Sequence, residues 1–500
     1  MGGRRWAVLA VLSGSLLIIA MDTTILNVAF PSLVADLQPS SIEQLWIIDA
    51  YALVLSGLLI TCGALGDRWG RRRLLVAGFV VFALASLLAV VANDPWVVIA
   101  ARALLGVGGA AIMPSTLSIV RVVFTDPRER AVAYSIWTAV IGAGLALGPL
   151  VGGLLVQTFD WHAAFLVNVP VAAVCVALAL WLVPESTSPR EGAWDWWGVA
   201  QSLGGMLALA AGIKLVGGHD VVTGAVLLVV AAVLLTVFVR RQLRLEHPLL
   251  QVRLFASRPF SVASVSILLG MMALGALLFL LGQWFQYAQG LKPFDAGLRM
   301  LPAPIALIIA PLFTARLLDR FSVRHVLGVG MLVGALGMAI PWLADTFGEL
   351  RYVHIAIALA ALGSGLGVAA TAASVTLMSA APAELAGGAA AVEEMSYELG
   401  SALGVAVIGS IAAALYRADI SDLGMRPEAM EKVRDSIGEA VAFAQSVVAP
   451  LGLRIVDAAA SSFTHALGLA CLAGGVLLAV SGVIGWRLIP KGFEPTESSH

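Results

Sequence analysis

One acid stands inside the first apolar segment of the chain, in the stretch MDTTILNVAFP (residues 21–31). The segment runs from Trp6 to Phe30, which is long enough for a helix that crosses a bilayer. An ionised Asp at the centre of a membrane helix costs about 2.5–3.5 kcal/mol on insertion scales, so such groups usually face a polar cavity. Asp22 is therefore predicted to handle a proton or a cation. The alternative is a structural polar group that a neighbouring helix caps.

Composition places the whole chain in the membrane class. Hydrophobic residues make up 60% of the 500 residues and charged residues 12%, whereas soluble proteins carry about 25% charged residues. The formal net charge of -1 indicates no partner, because the few charges are segregated by side. Cys62, Cys175 and Cys471 lie in apolar segments without a second Cys or a His at ligand spacing, so neither disulfides nor a metal site are predicted.

Fourteen apolar runs of membrane-spanning length follow one another along the chain. They lie at 6–30, 46–65, 74–91, 97–120, 132–155, 163–183, 197–216, 221–239, 260–285, 298–318, 326–343, 353–377, 388–415 and 465–489. None alternates like a barrel strand, so the prediction is an all-α polytopic membrane protein. Arginines concentrate on one side, whereas the short loops of the other side carry only Lys292, Arg299 and Arg351, so both termini are predicted to be cytoplasmic.

An internal repeat divides these spans. The loop GALGDRWGRRR (63–73) is echoed by ARLLDRFSVRH (315–325), 252 residues later (319 − 67). This predicts two six-helix bundles, with spans seven and eight inserted between them and substrate bound near the midplane. The predicted domains are 1–190, the inserted helices and linkers at 191–258, the second bundle at 259–490 and a cytoplasmic tail at 491–500. Within the second bundle an extracellular helical hairpin is expected at about 416–464, as a lid or as a surface ornament.

Further candidate groups for proton coupling and cation binding lie in spans two and thirteen. Span thirteen contains Glu393, Glu394 and Glu398; the last two stack one turn apart, so at least one is expected to hold a proton. Asp49 in span two is a candidate of the same kind or an interfacial residue. Arg102 in span four is expected either to bias the protonation of Asp22 or to extend to the membrane surface. Aromatic side chains that could add cation–π contacts with substrate are Tyr51, Trp284, Phe285 and Tyr397.

Two glycine-containing motifs are candidates for conformational roles. In the first repeat loop, glycines allow a tight turn, while the charged residues can pair across helix ends or with anionic lipid; a topology anchor is the alternative. Its residues are Gly63, Asp67, Arg68, Gly70, Arg71 and Arg72, with Asp319 in the second copy. In span five, small residues four apart let helices touch and a proline bends the helix, which suits a hinge or a sealed interface, or ordinary packing. These residues are Gly144, Gly148, Pro149, Gly152 and Gly153.

These motifs together resemble the major facilitator superfamily, and within it the fourteen-helix drug:proton antiporter family. Residues 63–73 resemble the superfamily's signature loop, and residues 144–153 fit the antiporter motif GxxxGPxxGG. Residues 21–31 are similar to the first-helix Asp motif, and residues 102–111 to the span-four motif, although Leu105 replaces its usual Gln.

The acids also fit this family. Glu393 and Glu394 fall where related exporters keep membrane acids. Span ten carries no acid, unlike some relatives that recognise divalent cations, which argues against divalent substrates.

The resemblance implies a proton-coupled multidrug efflux antiporter of the bacterial plasma membrane that works by alternating access. Its substrates would be lipophilic cations such as dyes, quaternary ammonium biocides and fluoroquinolones, and it would act as a monomer in the lipid bilayer. The nucleotide-binding pattern GxxxxGK[ST] is absent, so an ion gradient rather than ATP is expected to drive transport, with no cofactor and no nucleic-acid partner. One alternative is an exporter of an endogenous lipid or metabolite. The other, a membrane enzyme or receptor, lacks a catalytic constellation in the spans.

Overall fold

Every long apolar run of the sequence forms helix in the computed structural model, which describes residues 2–187, 195–217, 220–246, 248–382, 385–421 and 423–490. Twenty α-helices occur in these ranges, with a 3₁₀ turn at Val252–Ala256 and π-helical turns at Trp284–Ala288 and Val405–Gly409. The helices are α1 (Gly2–Leu37), α2 (Ser41–Trp69), α3 (Arg71–Val90), α4 (Pro95–Val123), α5 (Pro127–Thr158), α6 (Ala163–Leu166), α7 (Asn168–Leu182), α8 (Trp196–Gly217), α9 (Val221–Arg244), α10 (Arg258–Gln283), α11 (Pro293–Met300), α12 (Pro302–Ile309), α13 (Pro311–Leu318), α14 (Val323–Phe347), α15 (Tyr352–Ala380), α16 (Ala386–Gly404), α17 (Ser410–Asp419), α18 (Pro427–Asp435), α19 (Ile437–Gln445) and α20 (Ala449–Leu488).

Within the described residues, fourteen stretches of helix are long and apolar enough to cross a membrane, in the order predicted from the sequence. The tenth span is broken into α11, α12 and α13 because each piece begins with a proline, which has no backbone N–H and cannot continue a preceding helix undisturbed. The ninth and thirteenth spans contain the two π-helical turns. The predicted fold class, a polytopic α-helical membrane protein, is confirmed.

The spans pack as two six-helix bundles with two inserted helices. In the first bundle α1 packs on α5, and α4 packs on α2 and α3; in the second α10 packs on α16, and α14 packs on α15 and α20. The inserted helices α8 and α9 pack on each other, and α8 also contacts α2 and α17. The bundles meet where α1 contacts α10, α5 contacts α11 and α2 contacts α16. The inserted pair therefore touches both bundles.

An even number of spans returns the chain to the face where it began. The beginning of α1 and the end of α20 thus share one face, here called the termini end, and the other face is called the opposite end. The predicted boundary at residue 190 and the tail at 491–500 lie outside the described residues.

The hairpin expected at about 416–464 is present in altered form at the opposite end. Its first arm is two short helices, α18 and α19, which meet at the extended residue Ser436. Its second arm is not a separate helix, because α20 runs without a break from Ala449 to Leu488 and includes the last span. Pro450 sits in the first turn of α20, where no backbone donor is required, so it starts the helix and does not interrupt it.

Candidate functional site

A cavity of about 1980 Å³ lies between the two bundles. Its wall includes Arg68, Arg121 and Gln251 at the termini end and extends inward to Asp49 and Glu398. Drug-sized ligands occupy pockets of about 300–1,000 Å³, so the cavity has room for a large ligand and water. Because residues at the ends of several helices line it, the cavity opens at the termini end.

The opposite end is closed by backbone contacts between the bundles. A Cβ at Gly282 of α10 would collide with the backbone oxygen of Asn27 in α1. The Gln286 amide donates to the Val28 carbonyl at 3.0 Å, and the Tyr287 hydroxyl donates to the Pro31 carbonyl at 3.2 Å. These contacts bind the ninth span to the first, so the structure is open at one end and sealed at the other.

Asp22 is completely buried in a network of hydrogen bonds inside the first bundle. Its Oδ2 accepts from Arg102 Nη1 at 2.7 Å, and its Oδ1 accepts from Asn168 Nδ2 at 2.8 Å. Arg102 Nε also donates to the Ile47 carbonyl at 3.2 Å, while Asn168 Nδ2 lies 3.2 Å from the Ser86 hydroxyl. Both carboxylate oxygens of Asp22 are thus satisfied by protein groups.

Arg102 separates Asp22 from the cavity. The arginine lines the cavity wall and its side chain is 3% exposed, so it does not extend to the membrane surface. Its guanidinium carbon stands 4.6 Å from the centroid of the Tyr51 ring, within cation–π range. Asp22 itself is not part of the cavity wall but is bonded to this wall residue.

The three glutamates of α16 have a different environment. Glu393, Glu394 and Glu398 line the cavity directly. Ser374 of α15 lines the same cavity beside Glu393. Oε2 of Glu394 and Oε2 of Glu398 are buried without a hydrogen-bond partner in the part of the chain that the structure describes. Since no described Lys or Arg pairs with them, these carboxyls face the cavity as unmatched acids.

Asp49 is buried in an ion pair with an inserted helix. Its Oδ2 is 3.0 Å from Nζ of Lys214 in the inserted helix α8, and both side chains have no exposed surface. The ammonium also stands 4.4 Å from the centroid of the Trp46 ring. A predicted cavity acid therefore already has a cation supplied by the protein.

Of the four predicted substrate aromatics, two line the cavity and two do not. Tyr51 and Tyr397 are part of the wall. Trp284 and Phe285 are buried at the opposite end, in the π-helical turn that follows α10. Trp284 Nε1 donates to the Thr464 hydroxyl of α20 at 2.9 Å, which turns the indole away from the cavity. Trp284 and Phe285 therefore do not line this cavity, and their contact with substrate stays a prediction.

The glycine motif of span five forms two close helix contacts. A Cβ at Gly144 would stand 2.6 Å from the Ala20 Cβ, and one at Gly148 would collide with Thr24 Oγ1, so this face of α5 lies directly on α1. The face of Gly153 contacts the other bundle, where an added Cβ would stand 2.6 Å from the Phe294 Cα of α11.

Two further motif residues complete these contacts. A Cβ at Gly152 would stand 2.5 Å from Ile25 Cγ1 of α1, and the Pro149 carbonyl faces Gly297 of α11. The motif therefore joins the two bundles in addition to packing within one.

The signature loop is fastened to the segment that leaves the sixth span. Gly70 separates α2 from α3 with φ = 113°, a conformation that favours glycine, and an added Cβ would stand 2.6 Å from Glu185 Oε1. The Arg72 backbone N–H donates to the same oxygen at 3.1 Å, and Nε of Arg72 and of Arg73 lie 3.7 and 3.8 Å from Glu185 Oε2.

The other residues of this motif have separate positions. Gly63, Arg68 and Arg71 line the cavity, and Asp319 is exposed in the turn after α13. The side chain of Asp67 lies outside what the structure describes.

Sequence reasoning missed three polar partners: Asn168, Lys214 and Glu185. The first two carried a signal, because an amide and an ammonium each interrupt an otherwise apolar span. Glu185 had none, since a single acid after a span looks like an ordinary loop residue. Within the described residues there is no group of three or more His, Cys, Asp or Glu side chains that could hold a metal ion.

Comparison with known proteins agrees with this architecture. A family model for the Major Facilitator Superfamily matches residues 12–405. The chain is 38% identical to the multidrug efflux pump LfrA of Mycolicibacterium smegmatis, over 96% of each chain. It is 34% identical to the methyl viologen resistance protein SmvA of Salmonella typhimurium, over 98% of this chain and 99% of that one.

Solved structures show the same fold. A bacterial homologue of the human lysosomal transporter Spinster, in an inward-facing and unoccupied conformation, superposes with a TM-score of 0.67 over 97% of this chain and 96% of that one. The two sequences are 17% identical, so this likeness concerns the fold alone. From the family match and the full-length relatives, the chain belongs to the major facilitator superfamily of transporters, and among its relatives there are drug efflux and drug resistance proteins.

Proposed function

We propose that this protein exports lipophilic cationic compounds in exchange for protons. The observation that carries the proposal is the set of Glu393, Glu394 and Glu398 on the wall of a large cavity, where no Lys or Arg of the described residues pairs with them. Burying an isolated carboxylate is unfavourable, so each such group is neutralised by a proton or by a bound cation. Since one carboxyl cannot hold both, proton and drug displace one another there, which is the requirement for antiport.

Tyr397 and Tyr51 supply the second element of cation recognition. A ring face attracts an organic cation by about 0.5–2 kcal/mol, more when both are desolvated. Aromatic faces also tolerate ligands of varied shape, which fits a pump that accepts dyes, quaternary ammonium compounds and fluoroquinolones. The named substrates and resistances of the relatives support drug export as the function of this chain.

Asp22 is assigned the coupling role. Protonation would neutralise the carboxylate and weaken its bond to Arg102, which frees the guanidinium to move against Tyr51 and the cavity wall. This links the charge state of an acid behind the wall to the shape of the cavity. A proton on Asp22 in the first bundle and a cation at the glutamates in the second would thus act on the same cavity from its two sides.

Alternating access would exchange the two ends of the cavity. The arginine-rich connections lie at the termini end, so we place this end in the cytoplasm and the protein in the bacterial plasma membrane. The structure then represents the state that loads drug from the cytoplasm or the inner leaflet. Opening the other face requires separation of α1 from α10 and of α5 from α11.

Proton stoichiometry decides which part of the gradient drives the pump. One proton returned per monovalent cation moves no net charge, so the pH gradient alone would drive export. With two protons the membrane potential adds about 2.3 kcal/mol per 100 mV for the extra charge. The proposed unit is a monomer without a cofactor.

The test is dye efflux in inside-out membrane vesicles, with and without an imposed pH gradient. Uptake into the vesicles that requires an acidic lumen is expected, and it should stop when a protonophore collapses the gradient. Transport driven by ATP alone, or no dye movement at normal expression, would contradict the proposal. A comparison of membrane lipids and metabolites between deletion and wild-type cells separates drug export from export of an endogenous compound.

A further inference from the structure

The ion pair between Asp49 and Lys214 joins an inserted helix to a wall of the cavity. Asp49 belongs to α2 and is part of the cavity lining, whereas Lys214 belongs to α8. Their charged atoms are 3.0 Å apart with no exposed side-chain surface. Both carboxylate oxygens of Asp49 and Nζ of Lys214 are buried without a well-aligned hydrogen bond among the described residues. Charge attraction at short range therefore holds the pair together.

The geometry of the two helices explains why Lys214 points inward. Lys214 lies three residues before the last residue of α8 (217 − 214 = 3), which is about 4.5 Å along the helix axis at 1.5 Å per residue. This end of α8 faces the opposite end of the protein. Helical side chains lean toward the N-terminus of their own helix, so on α8 they lean toward the centre of the membrane. On the antiparallel α2 they lean the other way, and Asp49 and Lys214 therefore lean toward each other.

The inserted helix is also anchored at its other end. Asp195, immediately before α8, accepts from Arg241 Nε at 2.7 Å and from Gln242 Nε2 at 3.0 Å, both in α9. Although burial opposes it, hydrogen bonds from the Gly198 backbone, Arg241 and Gln242 hold the pKa of Asp195 below its usual value. The start of α8 is therefore fastened to α9, and its last turn contacts α2 through Lys214.

We propose that Lys214 is a specificity-determining residue: a tethered cation that occupies Asp49 and keeps this acid from serving substrate. The inference rests on the proposed export of cations and deepens it. With Asp49 matched by lysine, the substrate's charge is met by the glutamates of α16, which packs against α2. Without the lysine charge, the wall offers a second, separate carboxylate. The wild-type protein then prefers monocations, and removing Lys214 opens the cavity to dications.

The experiment compares Lys214→Met with Lys214→Met/Asp49→Asn in the purified full-length protein. These variants differ from each other only in the carboxylate of Asp49, and the double variant removes both charges of this buried pair together. The probes are methyl viologen, a dication, and tetraphenylphosphonium, a monocation, with binding measured by titration calorimetry at pH 8. In Lys214→Met, the affinity for the dication relative to the monocation is expected to be about tenfold higher than in the wild type. A tenfold change in affinity corresponds to about 1.4 kcal/mol. The double variant is expected to return to the wild-type ratio.

Each outcome bears on the inference. If Lys214→Met and the double variant have the wild-type ratio, Lys214 only fastens α8 and the inference is wrong. If Lys214→Met does not fold, Lys214→Gln carries the same expectation with a neutral donor for Asp49. A wild-type protein that binds neither probe overturns the proposed cation export itself, and thereby differs from a failure of the lysine's role alone.

Discussion

Asp22 of the first bundle and the glutamates of the second are all membrane acids, yet their surroundings differ. Both oxygens of Asp22 accept hydrogen bonds, from Arg102 and from Asn168, and the arginine lies between the acid and the cavity. Glu394 and Glu398 each present a buried oxygen with no partner among the described residues, on the cavity wall itself.

This difference separates two tasks that an antiporter must perform. An acid already paired in the ground state responds to a proton by releasing its partner, which changes structure. An unmatched acid responds to a proton or a cation by binding it, which changes occupancy. The comparison also shows that burial alone does not make an acid a substrate site, since Asp49 is buried and matched by Lys214.

The largest effect on transport is expected from Asp22→Asn, which removes the charge of the paired acid. It leaves Arg102 as an uncompensated charge, and breaking a buried pair in this way costs about 3–5 kcal/mol. Cation efflux should fall about a hundredfold or more, while expression stays intact. The measurement is initial efflux rate per amount of protein in vesicles. Asp36→Asn, at the exposed end of the same helix, is the matched control and should transport normally. Normal efflux by Asp22→Asn would remove the coupling role.

A second variant tests whether the close packing of α5 on α1 within the first bundle is needed for transport. Gly148→Leu places a side chain where even a Cβ would collide with Thr24 Oγ1 and stand 2.8 Å from the Met21 carbonyl oxygen. Overpacking of this kind costs about 1–3 kcal/mol or more, so alternation should slow at least tenfold. Gly14→Ala is the control, because its Cβ would lie 3.8 Å from Cys175 Sγ in ordinary contact. Unchanged transport rates for Gly148→Leu would show that the motif has no role in transport beyond ordinary helix packing.

Replacing the unmatched acids one at a time should affect substrates selectively. Glu394→Gln and Glu393→Gln each remove one charge that a cation would meet. Such a contact is worth about 1.5–3 kcal/mol, so the efflux of cationic substrates should fall by about tenfold to a hundredfold. Neutral substrates should lose much less, and the pH dependence of efflux should shift. The measurement is initial efflux rate against pH for one cationic and one neutral substrate. Glu349→Gln, an exposed acid paired with Arg351, serves as the control. Equal losses for both substrates without a pH shift would leave these glutamates a structural role.

The smallest expected effect lies in the hairpin at the closed end. Burial, followed by the nearby charge of Asp435, raises the pKa of Glu439 in α19 from 4.5 to about 7. A raised pKa means that the folded hairpin favours the protonated carboxyl. The resulting stabilisation is fully present below about pH 4.5 and is lost as the pH rises through about 7. Protection of α19 from hydrogen exchange, corrected for intrinsic rates, should be higher at pH 5 than at pH 8.

The variant Glu439→Gln should flatten this pH dependence, whereas Glu431→Gln, at an exposed position of α18, should keep it. Equal protection of wild-type α19 at the two pH values would show that Glu439 does not control the hairpin. Because Gly438 packs near the Tyr287 hydroxyl and Val34, a looser hairpin would uncover the contact between the first and ninth spans.

Several features of the site could be read from particular residues. Asp22, Glu393 and Glu394 stand out because ionisable groups are rare in apolar spans, and the glycine spacing of residues 144–153 predicts a close interface without any structure. Trp284 and Phe285 show where this reasoning stops. The sequence indicates aromatic residues that could meet a cation, but only the structure shows that they lie in a π-helical turn outside the cavity wall, with Trp284 bonded to α20.

By itself, the sequence determined the membrane class, the fourteen spans, the two inserted helices and the set of embedded acids, because hydropathy and charge cost are properties of single segments. Only the tertiary structure decided which acids are matched. Asp22 meets Arg102 across 80 residues (102 − 22), and Asp49 meets Lys214 across 165 (214 − 49). Such pairs depend on how helices from distant parts of the chain turn their faces toward each other, and no local period in the sequence records that rotation.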